Sequence, residues 1–261
     1  EFRRVLFRSL SLPAILDKCE RDDSIFFSVS TDKAADPTSL MGASKLLMEQ
    51  VMFSRCVKSQ TARFANVAFS NGSLLSSWIT RINRKELLPV PELTRRYFLS
   101  FDDASAICSQ VGTNTETFGI HVPDPTLMVE QDLLSILIKV LDYFGYNYEF
   151  IFESEEADKK KTRQNHIFQI LLTKLDTVGE KQGESFLSSM ETESKKSPIK
   201  NMLLLDSISR SKNEVHDILK GLVSLENRLD RSRIDDYYTF FSQIFPNYRG
   251  SSNRFSLDNR I

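Results

Sequence analysis

The alternation of two hydrophobic periods constrains this chain more than any other feature of it. From Leu10 to Gly145, apolar runs of strand length take turns with longer segments whose apolar residues recur at helical spacing. "LPAILDKCERDD" has the helical period and leads into "SIFFSVS", an apolar run of the kind that forms a strand buried on both faces. Pro37 then stands in the expected first turn of a long helical segment, "PTSLMGASKLLMEQVMFSRCVKS". "TARFANVAFS" is the next strand, followed by a helix through "LLSSWITRINRKE", a strand at "RRYFLS" and a helix opening at Asp102. "TFGIHV" gives a further strand, and "VEQDLLSILIKVLDYFG" a helix that Gly145 caps. Strands that alternate with helices in this way predict an α/β fold with a parallel, doubly wound sheet.

Past Asn147 the pattern loosens. "YEFIFES" and "HIFQILLTKL" are expected strands on either side of the charge run "EEADKKKTRQ", a solvated loop. After the polar stretch "METESKKSPIKN" come two helical segments, Lys212 to Leu229 and Arg233 to Phe245, and then an irregular tail. The sequence thus divides into a first domain over residues 10–146 and a smaller α+β C-terminal lobe with a helical tail over 147–261. Residues 1–9, "EFRRVLFRS", resemble a translated sequencing adapter and are set aside from the fold reasoning. On that expectation the natural protein begins upstream, together with any membrane anchor it has.

Charge and cysteine usage narrow the function classes. The 34 basic and 35 acidic residues nearly balance, for a formal net charge of −1, so no global field recruits nucleic acid or an anionic membrane and any anion site must be local. Cys19, Cys56 and Cys108 lie far apart with no C-x-x-C spacing, which predicts reduced core thiols, neither a zinc site nor a disulfide framework, and a cytoplasmic setting. No metal ligand set is expected.

The chemistry concentrates in "STDKAADPTSLMGASK", Ser30 to Lys45. Ser30, Thr31, Asp32 and Lys33 stand at the carboxyl end of an apolar strand, where ligands bind in open α/β sheets. Asp32 and Lys33 are an adjacent acid and base; alone, such a dipeptide is a solvated turn. Met41 and Lys45 are one helical turn apart on one face. On spacing alone they are a core methionine and a snorkelling lysine.

The whole string resembles the extended short-chain dehydrogenase/reductase superfamily. More narrowly it is similar to the nucleotide-sugar 4,6-dehydratases of bacterial polysaccharide biosynthesis, whose pattern is S-T-D-K-A-x-x-P-x-x-x-[YM]-G-A-[ST]-K. Met41 takes the place of the usual tyrosine, as it does in the long, often membrane-anchored members of that family. "ARFANVAFSNGSLL" is similar to the family's R-[FY]-x-N-V-x-x-S-x-G-S, "LTRRYFLSFDDA" to its T-R-[RFY]-[FY]-[FM], and "DTVGEKQGESF" to its G-E-K-x-x-E-[EL].

The resemblance implies a Rossmann-like fold, NAD or NADP as cofactor and a UDP-sugar of the N-acetylhexosamine class as substrate. It implies a lyase: oxidation at carbon 4, loss of water across carbons 5 and 6, and return of the hydride to carbon 6. It assigns Lys33 as base, Asp32 as acid, Thr31 to the carbon 4 hydroxyl, Lys45 to the cofactor ribose and Met41 to packing beside the nicotinamide. Ser30, Phe64 and Ala65 would line the cofactor. Asn66 would turn to the sugar diphosphate, Ser70 and Ser73 would open an anion-binding helix, and Arg95, with Arg96 as second choice, would pair with a phosphate. A homo-oligomer is expected. The alternatives on the same fold are a 4-epimerase, which needs no acid and base pair for water loss, and a non-catalytic nucleotide-sugar or dinucleotide binder. The departure from the pattern is the lack of G-x-G-x-x-G among the nine glycines, and with it the first β-α-β unit. The chain as given is therefore expected to bind dinucleotide weakly or not at all and to be inactive by itself.

Overall fold

In the computed structural model, residues 2–55, 57–152, 167–174, 183–191, 193–206, 210–227, 234–248 and 250 are described. The chain runs α1 (Phe2–Arg21), β1 (Phe26–Thr31), α2 (Leu40–Phe53), β2 (Ser59–Phe64), β3 (Asn66–Val67), α3 (Leu74–Arg84) and β4 (Leu88–Pro91). It continues through β5 (Arg95–Arg96), β6 (Phe98–Leu99), α4 (Phe101–Thr113), β7 (Gly119–Pro123), β8 (Gln131–Asp132), α5 (Leu133–Tyr143), β9 (Asn147–Phe152) and β10 (Ile167–Thr173). β11 (Glu193–Lys196), β12 (Met202–Leu205), α6 (Lys212–Asn227) and α7 (Ile234–Ile244) follow. Two compact units result, one from Glu1–Ala65, Ala104–Met128 and Ser185–Ser252, the other from Asn66–Asp103 and Val129–Glu184. Compactness therefore groups the chain differently from a linear split at 146/147, because the strands that extend the first sheet come from far along the chain.

The first unit is built on a five-stranded sheet of order β1-β2-β7-β12-β11. β1, β2 and β7 are parallel, and β12 and β11 extend them in antiparallel fashion. Successive side chains of a strand point to opposite faces. Phe26 joins the core formed by Leu12 and Leu16 of α1, Leu47, Val51 and Met52 of α2, Leu222 of α6 and Phe241 of α7. On the other face the Phe27 ring lies against α4, where a Cβ on Gly112 would stand 3.4 Å from it. Helices thus cover both faces, as the doubly wound expectation requires.

The second unit packs α3 and α5 on the parallel sheet β4-β10-β9, with Trp78, Leu88, Val90, Leu137, Leu141 and Ile170 fully buried between them. Its helices are closed by local chemistry. Asp132 accepts the Ser135 N–H at 2.8 Å at the start of α5. At its end Gly145, at φ +71°, lets Gly145 and Tyr146 return their N–H groups to Asp142 and Leu141 at 3.0 Å each.

Several expectations need correction. β1 is an edge strand of its sheet, so its residues are mostly half-buried, whereas its neighbours β2 and β7 are buried along their whole length. Pro37 precedes the cap of α2 instead of lying in its first turn; Ser39 is the N-cap and accepts the Gly42 N–H at 3.1 Å. "RRYFLS" forms two two-residue strands, β5 and β6, that pair with different partners, β8 and β3. β11 lies in the polar stretch "METESKKSPIKN" and β12 just after it, where the sequence pattern assigned no element. Cys19 and Cys108 are free thiols but only partly buried, outside the core, and Cys56 lies outside the described residues. The charge run after β9 and most of the segment from Asp176 to Phe186, residues 176–182, also lie outside them. Among the described residues no helix is long and apolar enough to cross a membrane.

Candidate active site

β1 ends at Thr31 and passes into a single 3-10 turn, Asp32–Ala34, before α2 begins. The Thr31 hydroxyl donates to Asp32 Oδ1 at 2.7 Å and accepts the Lys33 N–H at 3.4 Å. Lys33 Nζ stands 3.5 Å from the same Asp32 oxygen. The acid is sealed and the amine is not: the Asp32 side chain is 5% exposed and that of Lys33 39%. A carboxylate that deep is tolerable because a hydroxyl and an ammonium face it.

What holds Lys33 in place is a glycine that sequence reasoning quoted without giving it a role. A Cβ on Gly42 would stand 2.2 Å from the Lys33 carbonyl oxygen and 3.2 Å from Pro37 Cβ. Only a bare Cα lets α2 approach that backbone so closely. One residue before Gly42, Met41 is exposed, not the core methionine that its spacing alone predicts. Lys45, a turn further on, donates to the Val29 carbonyl at 2.9 Å. Next to Val29, the Ser30 hydroxyl is buried with no partner among the described residues. Thr31 is level with Phe64 in the β1–β2 register, and both Phe64 and Ala65 are buried. The structure thus brings Ser30 to Lys33, Lys45 and Phe64 to one sheet end. A hydroxyl and an ammonium are groups that the ribose end of a dinucleotide takes, whereas the sequence holds no G-x-G-x-x-G turn for its pyrophosphate.

The candidate substrate residues belong to the second unit. Asn66 Nδ2 donates to the Tyr97 carbonyl at 3.1 Å and to Glu184 Oε1 at 2.7 Å. Glu184 Oε2 accepts the Tyr97 N–H at 3.0 Å, and Arg96 Nε lies 3.4 Å from Oε1. Burial, with the charges of Glu130 and Glu184, holds the Tyr97 phenol above its ordinary pKa. The tandem arginines differ: the Arg96 side chain is 12% exposed and turned to Glu184, while that of Arg95 is 59% exposed and pairs loosely with Glu130 at 3.7 Å. Ser73 caps α3 by accepting the Ser76 N–H at 3.2 Å, and Ser70 sits in the turn before it, next to Phe69 at φ +57°. Glu184 closes the segment "GEKQGE"; the pattern flagged the segment but not what the carboxylate would hold.

A second group was missed entirely. Arg63, fully buried on β2, donates through Nε to Glu49 at 3.1 Å and through Nη2 to Glu49 at 2.5 Å and Glu191 at 2.8 Å. Its Nη1 completes the set with Glu191 at 2.7 Å and the Phe186 carbonyl at 2.9 Å. Burial alone would lower the pKa of the guanidinium; the Glu49 and Glu191 carboxylates outweigh it, and the net shift is upward. Nearby, Asp36 accepts the Ser189 N–H at 2.8 Å and hydroxyl at 3.2 Å, and although burial raises its pKa these bonds leave it lowered overall. No local sequence pattern links positions so far apart.

A family model described as polysaccharide biosynthesis protein matches residues 15–204. Relatives include the capsular polysaccharide biosynthesis protein CapD of Staphylococcus aureus, 30% identical over 160 residues, 57% of this chain and 26% of that protein. The uncharacterized membrane protein MJ1061 of Methanocaldococcus jannaschii is 32% identical over 139 residues, 48% of this chain and 40% of that protein. The probable polysaccharide biosynthesis protein EpsC of Bacillus subtilis is 31% identical over 127 residues, 45% of this chain and 21% of that protein. The matches with these relatives thus span less than half of each relative's length. Among solved structures, Pen from Bacillus thuringiensis has the same fold at a TM-score of 0.54 and 16% identity, covering 80% of this chain and 66% of that one.

Proposed function

The chain belongs to the polysaccharide biosynthesis protein family, and from that premise we propose that it carries the proton chemistry of a nucleotide-sugar 4,6-dehydratase acting on a UDP-N-acetylhexosamine. The observation that carries the proposal is the sealed Asp32 carboxyl with Thr31 at 2.7 Å and Lys33 at 3.5 Å on the same oxygen, at the carboxyl end of a parallel strand. Elimination of water needs a base at one carbon and an acid at the next, and adjacent residues on one tight turn supply both. Before the elimination the proton of the Lys33 ammonium passes to the Asp32 carboxylate; neutral Lys33 then takes the carbon 5 proton, Asp32 delivers its proton to the departing carbon 6 hydroxyl, which restores the ion pair, and Thr31 orients the carbon 4 oxygen. Ser30 and Lys45 would hold the ribose end of NAD or NADP, which when bound supplies hydride transfer. Met41 has no transferable proton; its role is to pack.

An epimerase on the same fold has no use for the Asp32–Lys33 pair, and the test separates the two. In the protein as the cell makes it, with UDP-N-acetylglucosamine in deuterated solvent, the wild type exchanges the carbon 5 proton and forms a dehydrated sugar. Lys33→Ala loses that exchange by about 100- to 10,000-fold, while Met41→Ala keeps it. Equal loss in both variants, with both folded, would sink the assignment. Carbon 4 inversion without water loss would make the protein an epimerase.

A further inference from the structure

An asparagine side chain offers two donor protons and one acceptor oxygen. In Asn66 both protons are placed, one on the Tyr97 carbonyl at 3.1 Å and one on Glu184 Oε1 at 2.7 Å. Turning the amide over would set its oxygen against a carbonyl and a carboxylate, two acceptors, so the orientation is fixed by chemistry. Glu184 is itself held, by the Tyr97 N–H at 3.0 Å and by Arg96 at 3.4 Å, with only 5% of its side chain exposed. The one group left over is Asn66 Oδ1, which has no partner among the described residues.

We propose that Glu184 is a positioning residue that locks the polarity of Asn66, so that Asn66 presents an acceptor to a hydrogen-bond donor on the sugar of the substrate and leaves the diphosphate to Arg95. The proposal rests on the nucleotide-sugar reading above and corrects one part of it. The doubly esterified diphosphate of a UDP-sugar carries only acceptor oxygens at neutral pH and is repelled by an outward amide oxygen. A hydroxyl or an acetamido N–H is not. A site built around a fixed acceptor rejects ligands that lack the matching donor, because its own polar group is then left unpaired. Glu184 thereby separates recognition of the sugar from recognition of the nucleotide.

The test titrates UDP and UDP-N-acetylglucosamine separately against wild type, Asn66→Ala, Glu184→Ala and Glu184→Gln. Asn66→Ala and Glu184→Ala should weaken the UDP-sugar about tenfold and leave UDP within about twofold. Glu184→Gln, which keeps one acceptor oxygen for Asn66 but turns its NH2 on the Tyr97 N–H and loses the charge facing Arg96, should fall between wild type and Glu184→Ala. If Asn66→Ala weakens UDP and the UDP-sugar equally, Asn66 serves the diphosphate and the proposal is overturned. The lock is also read without any ligand, from the side-chain amide protons of Asn66 by NMR. Glu184→Ala should shift them and speed their exchange with solvent about tenfold, and unchanged signals would overturn the lock. If wild type binds neither nucleotide while the amide signals respond as expected, the nucleotide-sugar reading falls and takes the sugar-donor assignment with it.

Discussion

In the unit that carries Asp32 and Lys33, the buried Arg63 places all five of its N–H groups, four on the Glu49 and Glu191 carboxylates and one on the Phe186 carbonyl. In the unit that carries Asn66 and Arg95, the buried Glu184 gathers an amide, a backbone N–H and a guanidinium, and the network ends on Asn66 Oδ1, unpaired among the described residues. Both solve the same problem, a charge removed from water. They differ in completeness. A network with every donor placed has nothing to offer a ligand and acts as architecture, whereas one that stops a bond short at a half-buried side chain is poised to receive one. The comparison also separates the two arginines of β5: Arg96 belongs to the closed part of its network and Arg95 to the open rim.

The largest expected effect breaks the closed network. Arg63→Leu leaves Glu49 and Glu191 buried with no cation between them, and should cost about 3–5 kcal/mol in urea unfolding. Replacing both glutamates by leucine in the same chain should recover most of that loss, since an apolar substitute for a whole buried ion cluster is often neutral; no recovery would mean that Arg63 acts through more than its charge. Arg96→Ala comes next, at about 1–3 kcal/mol, because it strips the ionic partner from a buried carboxylate. Its neighbour provides the contrast: Arg95→Ala should change stability by less than about 1 kcal/mol while weakening UDP by about tenfold or more. The reverse pattern would exchange their roles.

Gly42→Ala tests packing where the others test charge. With a methyl group 2.2 Å from the Lys33 carbonyl, α2 or the 3-10 turn must move, at a cost of about 1–3 kcal/mol. Proton exchange at carbon 5 should fall more than the loss of stability explains. The smallest effect is one of pH. His121 on β7 is fully buried, with Nδ1 3.1 Å from Ser197 Oγ and Nε2 unpartnered among the described residues. Burial lowers its pKa from 6.5, against a smaller opposing contribution from the Thr117 backbone. The unfolded chain therefore binds a proton near 6.5 that the folded chain refuses. Stability present above that value declines as pH falls toward the lowered one. Melting midpoints across that window should drop in wild type and flatten in His121→Leu.

Much of this molecule is legible in its sequence because it depends on neighbours a few residues apart. The helical and strand periods located α1, α2, α3, α4 and α5 and the parallel strands β1, β2 and β7, since each periodicity reports one face of one local element. The Thr31–Asp32–Lys33 cluster was equally legible, because a tight turn after a strand keeps consecutive side chains together. What only the tertiary structure decided depends on pairs that no spacing connects. Whether "SIFFSVS" is central or at an edge depends on which strands lie beside it, and the four apolar residues Met202–Leu205 became a strand because β7 offered a free edge. Likewise Arg95 and Arg96 are identical in residue type and opposite in burial and pairing. The difference is made by Glu184, a carboxylate 88 residues from Arg96 in the chain (184 − 96) and 3.4 Å from it in space.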